Sequence, residues 1–460
     1  MITSIEINGF KTFHHFKVEL SPFVVIAGTN GSGKSNLFDA LRLLSRMAET
    51  DLKTAFNEQR GDANELFTIY SDGTTANKMS FAVEILVDKK VKDKWGGEET
   101  LKYTRLRYEL EIERRKDNRN LERLYVTRED LSTIKPNDDK WEKKIISHNQ
   151  EYWRPKVVTG KRGIPYISTD TDSIPSKIQL HQDGKGGLKQ SPAGIIEQTI
   201  LSSVGSVEFP HALAAKQEMI SWHFLQLNPE ELRKPSPRLA KDSISQDGAN
   251  LAATLFRIKS NDKFAIKDIS RELNNLLPSF LEVQVEEDFM RDQYVVKLKT
   301  EDNRIFSSRV LSEGTLRLLT LCTLKYDDQH RGVLNFEEPE NGIHPYRLEF
   351  VVQLLKDLTT DFSLNESTDF PLRQVITNTH SPKFVGEVFK LKTSATVLFA
   401  SMVNNILPDK KIKIRTTKML PVISVSQTEL NFNNISPEER NITLNELYNY
   451  LQSIDFEQVI

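Results

Sequence analysis

The residues best suited to chemistry lie in four short segments. Gly28-Thr29-Asn30-Gly31-Ser32-Gly33-Lys34-Ser35 has the spacing G-x-x-x-x-G-K-[ST], in which glycines let backbone N–H groups turn inward around the α- and β-phosphates of a nucleotide. Lys34 then reaches the β- and γ-phosphates, and the Ser35 hydroxyl ligates Mg²⁺. Far downstream, Gly332-Val333-Leu334-Asn335-Phe336-Glu337-Glu338-Pro339-Glu340-Asn341-Gly342 ends an apolar run in two carboxylates. Phosphate hydrolysis needs an acidic group at a strand end to hold the metal, and a second group to orient or deprotonate water. Glu337 and Glu338 are placed for these tasks in turn, although the pair alone would equally suit a solvated strand end.

Leu311-Ser312-Glu313-Gly314-Thr315 precedes that run, with Ser312 25 residues before Glu337. A serine and a small residue at a helix start present free N–H groups to an anion. The same residues also read as an ordinary N-cap with Glu313 in the first turn. Thr377-Asn378-Thr379-His380-Ser381-Pro382 sets a histidine just past a predicted strand, where it could hydrogen-bond a γ-phosphate or be merely structural.

These segments need elements to hold them. Ser4 to Phe13 and His15 to Leu20 alternate like a β-ribbon, Phe23 to Ala27 is a continuous apolar run, and Leu37, Phe38, Leu41, Leu43 and Leu44 recur at helical spacing. Strand, glycine loop and helix thus follow in the required order. Strands are predicted at Ser80 to Val87, Arg105 to Ile112 and Arg123 to Arg128; 155–194 is loop-rich; 195–226 and 248–258 are helical. Phe264 to Leu277 is helical and precedes a strand pair at Leu281 to Glu286 and Tyr294 to Thr300. A helix opened by Ser312, a strand at Val333 to Phe336, a helix at Arg347 to Leu358 and a strand at Gln374 to Thr377 complete an α/β pattern with a parallel sheet.

Composition limits the rest. The chain has 460 residues with 62 Lys plus Arg against 64 Asp plus Glu, a net charge of −2, so any nucleic-acid surface must be local. Two regions qualify: 89–128, with 13 basic and 8 acidic residues, and Lys410, Lys411, Lys413, Arg415 and Lys418. A solvated charged face is an equal reading of each, and Tyr103, Tyr108 and Tyr125 sit at strand spacing that suits packing. The single cysteine, Cys322, excludes an internal disulfide and a multi-cysteine zinc cluster and fits a reducing cytosol. No apolar run approaches the ~20 residues that span a bilayer, and the N-terminus lacks a signal-peptide pattern. The expected location is the cytoplasm, with no membrane.

Taken together, the four segments resemble the ABC-type ATPase head, particularly the SMC, RecF and OLD-like group. Gly28 to Ser35 looks like its Walker A, Ser312-Glu313-Gly314 like the signature, Val333 to Glu338 like Walker B, Asn341-Gly342 like the D-loop and His380 like the switch histidine. The resemblance covers roughly 1–70 and 260–390. Glu337 stands where aspartate is usual, Asn335 interrupts the apolar strand, and no Q-loop glutamine is assignable, Gln59 being a weak candidate.

The resemblance implies a P-loop ABC-type ATPase head split by a large α+β insertion: an N-terminal lobe 1–70, an insertion or lid 71–260, a C-terminal lobe 261–392 and an extension 393–460. It implies ATP and Mg²⁺ as cofactors. Gly28, Asn30, Gly31, Ser32, Gly33, Lys34, Ser35 and Asn36 would bind nucleotide, Ser35 and Glu337 the metal, while Glu338 activates water and His380 contacts the γ-phosphate. Ser312 and Gly314 would complete the site of a second copy, so that ATP glues a homodimer. The 303 residues from Lys34 to Glu337 disfavour a compact transporter cassette, and the absence of sustained heptads disfavours a long coiled-coil arm. The extension carries no acidic constellation of a Toprim nuclease. What remains resembles stand-alone ATPases of bacterial anti-phage defence, such as the PtuA and AriA types, which act with a separately encoded effector, commonly a nuclease. A RecF- or SMC-like DNA repair or maintenance ATPase is the alternative. A non-hydrolysing clamp is a third reading, against which Glu338 speaks, since a clamp needs no water-activating carboxylate.

Overall fold

Phe23–Ala27 is apolar at every position and buried at every position, as a strand covered on both faces requires. It lies inside a six-stranded sheet in a computed structural model that describes residues 1–155, 165–183, 187–368, 370–391, 395–407, 412–422 and 450. The order is His223–Leu225, Gly332–Glu337, Arg373–Thr379, Phe23–Ala27, Ala395–Leu407, Ile412–Val422. The first five strands run parallel and the last antiparallel. Register sets Thr379 beside Ala27 and Glu337 beside Asn378, so the glycine loop, the carboxylate pair and His380 all leave the same edge of the sheet. Ligands of parallel sheets bind at that carboxyl edge.

Alternation along Phe23–Ala27 divides the core. Val24 and Ile26 pack with Leu37, Phe38, Leu41 and Leu44 of the helix Lys34–Met47, and beyond that helix with Ile5, Phe81 and Leu110. Those last residues belong to a second, antiparallel sheet of eight strands. It runs Leu188–Pro192, Lys177–His181, Ile167–Asp170, Glu122–Thr133, Arg105–Lys116, Lys78–Leu86, Ile2–Asn8, Phe16–Glu19. The glycine-loop helix is therefore clamped between two sheets. Phe23, Val25 and Ala27 face the other way, against Leu316, Leu319, Val352, Leu355 and Phe384 of the helices Glu313–Lys325, Leu348–Asp357 and Pro382–Lys390. Cys322 lies in that second core with no exposed surface, which makes it a packing residue.

Several expectations are corrected. The stretch 155–194 reads as loop, yet three of its segments are strands that extend the antiparallel sheet. Within those three strands only Ile167, Ile178 and Leu180 are buried, too sparse an alternation to register against polar neighbours. The helical reading of 195–226 holds for Ile200–Ser203 and Pro210–Ile220 but fails at His223–Leu225, three residues that pair in parallel with Gly332–Glu337. Sheet membership also crosses the boundaries drawn from sequence. Strands of 71–260 continue the sheet begun by Ile2–Asn8, His223–Leu225 joins the parallel sheet, and Ala395–Leu407 with Ile412–Val422, from the extension, flank the glycine-loop strand. Lys410 and Lys411 lie outside the described residues.

Candidate active site

The glycine loop is walled by the strands that follow it late in the chain. A Cβ at Gly28 would fall 2.5 Å from the Ala400 carbonyl oxygen, and one at Gly33 would fall 1.9 Å from Thr417 Oγ1; Gly33 also has φ +90°, a conformation that favours glycine. Thr417 Oγ1 donates to the Ser32 carbonyl at 3.2 Å and lies 2.7 Å from Thr12 Oγ1, which accepts from Asn36 Nδ2 at 2.8 Å. Gly33 caps the helix Lys34–Met47, whose first N–H groups are open to an anion.

Lys34 is buried, and its ammonium donates to the carbonyls of Gly28 and Thr29 at 2.7 and 2.8 Å. It also stands 3.2 Å from His380 Nδ1. Burial pulls its pKa down to about 8, with Glu338 and Glu340 pulling the other way. His380 Nε2 is 3.2 Å from Glu338 Oε1. Burial and the Lys34 charge hold His380 below the ordinary histidine value, with Glu338 opposing.

Glu338 has φ +48°, unusual for a side chain of its size. Its N–H points at Asn378, 3.1 Å from Oδ1, and its Oε2 accepts from Asn341 Nδ2 at 2.6 Å. The preceding Glu337 has a side chain only 12% exposed, 3.5 Å from Arg60 Nη2. Burial pushes its carboxyl up, Arg60 and Arg42 pull it down, and Asp39 and Glu338 push it up again. Asn335 is buried and donates to the His223 carbonyl at 3.3 Å, so the amide that interrupts the apolar strand ties in the edge strand.

The donor set suits Mg²⁺. That cation takes oxygen ligands, commonly one or two carboxylates with water and substrate phosphates, and the Ser35 hydroxyl and Glu337 carboxylate are such donors. Among the described residues no group of three or more His, Cys, Asp and Glu converges on one point, so phosphate and water would fill the other positions.

Ser312 and Gly314 lie elsewhere. Ser312 caps the helix Glu313–Lys325, accepting from Thr315 N at 3.3 Å, and a Cβ at Gly314 would fall 2.7 Å from the Gly342 carbonyl oxygen. The structure thus gathers Gly28, Ser32, Lys34, Glu338 and His380, and sets Gly314 against Gly342 with Ser312 capping the helix beside it.

Other residues escaped the sequence reading. Gln59, the weak Q-loop candidate, is 7% exposed and spends its amide on the Ala55 carbonyl. Gln226, directly after the edge strand His223–Leu225, accepts from Arg60 at 2.8 Å, and the same guanidinium nitrogen faces Glu337. Glu340 accepts from Thr379 Oγ1 and from the His380 N–H. Arg60 and Gln226 belong to no local spacing pattern, and the pairing of His223–Leu225 with Gly332–Glu337 brings Gln226 here; Glu340 stands within the carboxylate segment read from sequence, which assigned it no role.

The basic stretch 89–128 is largely neutralised. Arg107 pairs with Glu6, Glu84 and Glu109, Arg115 with Glu113, Arg123 with Asp117, and Arg128 with Glu109 and Asp130. Tyr108 is buried and donates to Glu129 at 3.0 Å, as packing predicts. Lys413 and Arg415 are exposed on the last strand of the parallel sheet. Among the described residues no helix is long and apolar enough to cross a membrane.

Comparison with known proteins finds two family models, each matching part of the chain. Residues 1–184 match the family model described as "AAA ATPase domain", and residues 207–386 match "AAA domain, putative AbiEii toxin, Type IV TA system". No curated protein matches the sequence. Among solved structures, an SMC head bound to the C-winged helix domain of ScpA is 13% identical with a TM-score of 0.48, covering 93% of this chain and 99% of that one. The SMC head domain from Thermotoga maritima is 12% identical with a TM-score of 0.39, covering 92% and 99%. An SMC head with an extended coiled coil, bound to the C-terminal domain of ScpA derived from Pyrococcus furiosus, is 13% identical with a TM-score of 0.46, covering 93% and 97%. Such scores leave the fold to the sheet order and the glycine-loop geometry above, which are those of an α/β P-loop ATPase. The chain is similar to these two families over those residues, and the matches support an ATP-hydrolysing enzyme.

Proposed function

We propose that the protein hydrolyses ATP as a nucleotide-gated homodimer, with Mg²⁺ held by Ser35 and Glu337. The contact of His380 with both Lys34 and Glu338 carries the reading. Gly28, Asn30, Gly31, Ser32, Gly33, Lys34, Ser35 and Asn36 cradle the phosphates through backbone N–H groups and one ammonium. Glu338 takes a proton from the attacking water, and His380 turns from Lys34 to the γ-phosphate when nucleotide enters. Mg²⁺, when bound, neutralises developing charge on the phosphate oxygens. Gln226 and Arg60 line the metal side through Glu337. Among the described residues no hydrogen bond joins Ser312 or Gly314 to the glycine loop of their own chain, which favours their use by a second copy. The test is Mg²⁺-dependent phosphate release: the wild type should exceed Lys34→Ala and Glu338→Gln, and equal rates would end the reading. Glu338→Gln with ATP should sediment as a dimer.

The biological role follows less directly from the site. The family described as a type IV toxin–antitoxin toxin, matched over 207–386, favours a regulator ATPase of an anti-phage defence system that controls a separately encoded effector. Pull-down of untagged partners with Glu338→Gln protein and ATP tests it; recovery of an effector such as a nuclease is the expected result. A DNA repair or maintenance role is favoured instead if charge reversal at Lys413 and Arg415 abolishes salt-dependent DNA binding.

A further inference from the structure

Glu340 follows the two carboxylates of the Walker B segment by a single proline and has no part in the roles above. Its Oε1 accepts from Thr379 Oγ1 at 2.5 Å and from the backbone N–H of His380 at 3.2 Å. Its Oε2 is buried without a hydrogen bond among the described residues. Burial pushes the carboxyl up, and the bonds from Thr379 and His380 hold it down. Thr379 is the last residue of its strand, paired with Ala27. Its Oγ1 also accepts from Ser381 N at 2.9 Å, and Ser381 Oγ caps the helix Pro382–Lys390 by accepting from Phe384 N. His380 therefore sits at a junction between strand and helix, where ladder hydrogen bonds have ended and its own N–H needs another acceptor.

We propose that Glu340 is a positioning residue for ATP hydrolysis: it fixes the backbone of His380 from one side, so that the imidazole bridges Lys34 and Glu338 on the other. The proposal rests on the ATPase reading of the same site. One carboxylate oxygen receiving two donors makes the turn after the strand a rigid mount, because an unpaired N–H at a half-buried strand end would otherwise seek water. The Glu340 charge also acts on the Lys34 ammonium, so the residue adds to the field that keeps the lysine protonated. Misplacement of a reacting group by about 1 Å costs about 100-fold in rate, which sets the scale expected when the mount is removed.

Glu340→Ala should lower kcat by at least ~10-fold with the KM for ATP little changed. Glu340→Gln retains an acceptor oxygen and should restore most of the turnover, and Thr379→Val should act in the same direction and non-additively with Glu340→Ala. A second readout needs no turnover: in nucleotide-free protein labelled at histidine, the NMR titration of His380 should move upward in Glu340→Ala as the ring leaves Lys34, and stay near the wild-type midpoint in Glu340→Gln. Wild-type kcat in Glu340→Ala, an effect confined to KM, a Gln variant as impaired as the Ala variant, or an unmoved His380 titration would each overturn the proposal. If the wild type releases no phosphate, the ATPase reading fails by itself, and the titration still decides whether Glu340 positions His380.

Discussion

Lys34 Nζ and His380 Nδ1 stand 3.2 Å apart, which sets the imidazole against the ammonium of the glycine loop. An ammonium has donors only and a carboxylate acceptors only, and the ring lies between the two, with Nε2 3.2 Å from Glu338 Oε1. A neutral ring agrees with the lowering of its pKa by burial and by Lys34. The glycine loop and Glu338 are thus linked through one imidazole, the group for which an entering γ-phosphate would compete.

Replacing the carboxylate separates binding from chemistry. Glu338→Gln should lower kcat by ~10²–10⁴-fold, the usual contribution of general acid–base catalysis, while retaining ATP. His380→Ala should lower kcat in the same direction by a smaller factor. Single-turnover phosphate release, measured alongside fluorescent-nucleotide binding, reads the two effects separately.

The lysine predicts a pH dependence of binding. Its pKa in the nucleotide-free protein is about 8, so the ammonium is present below that value and lost as pH rises through it. Phosphates favour the charged form, so nucleotide binding should take up protons above pH 8 and affinity should fall. Calorimetry in buffers of different ionisation enthalpy reads the uptake directly. Lys34→Arg, charged throughout that range, should remove the dependence, though its geometry weakens binding at every pH.

Gly33→Ala should cost more than the ~1–2 kcal/mol of a left-handed residue, because the new Cβ meets Thr417 Oγ1 as well. Thermal unfolding should show the loss, and ATP binding should fail with it. Thr417→Ala in the same chain removes the nearest clash and should recover part of the stability.

Away from the site, Arg105 and Asp139 form a buried ion pair. Both are almost fully enclosed, with Arg105 donating to the two carboxylate oxygens at 2.8 and 3.1 Å and to Thr3 Oγ1 at 2.9 Å. Burial alone would raise the Asp139 pKa, but Arg105, the Glu142 N–H and Arg154 bring it below the usual value. A folded pKa below the unfolded one stabilises above ~3.9, and that contribution is lost as pH falls through the folded value. Arg105→Ala should cost ~3–5 kcal/mol at neutral pH and flatten the acid limb of a urea-denaturation series.

Much of the fold was legible because its signals are local. Five consecutive apolar residues, Phe23 to Ala27, predict a strand buried on both faces, and the glycines and Lys34 that follow leave few conformations other than a phosphate loop. Gly332–Glu337 and Arg373–Thr379 were legible for the same reason. His223–Leu225 was not, because three residues carry no period and depend on a strand over 100 positions away. The strands between 155 and 194 were hidden by their polarity, since Ile167–Asp170 buries one residue, Lys177–His181 two and Leu188–Pro192 none.

The sequence by itself determined which groups could meet a phosphate: one lysine, a hydroxyl, two adjacent carboxylates and a histidine, each in a short segment whose backbone form follows from its own residues. Only the tertiary structure decided their mutual arrangement. Parallel register along Phe23–Ala27 and Arg373–Thr379 brings His380 to Lys34, a positive φ turns Glu338 toward the ring, and Glu340 closes on Thr379 from the neighbouring strand end. The first of those contacts joins residues 346 positions apart and the other two join residues about 40 apart, and two sheets packed on one helix hold them together, a constraint that no local spacing records.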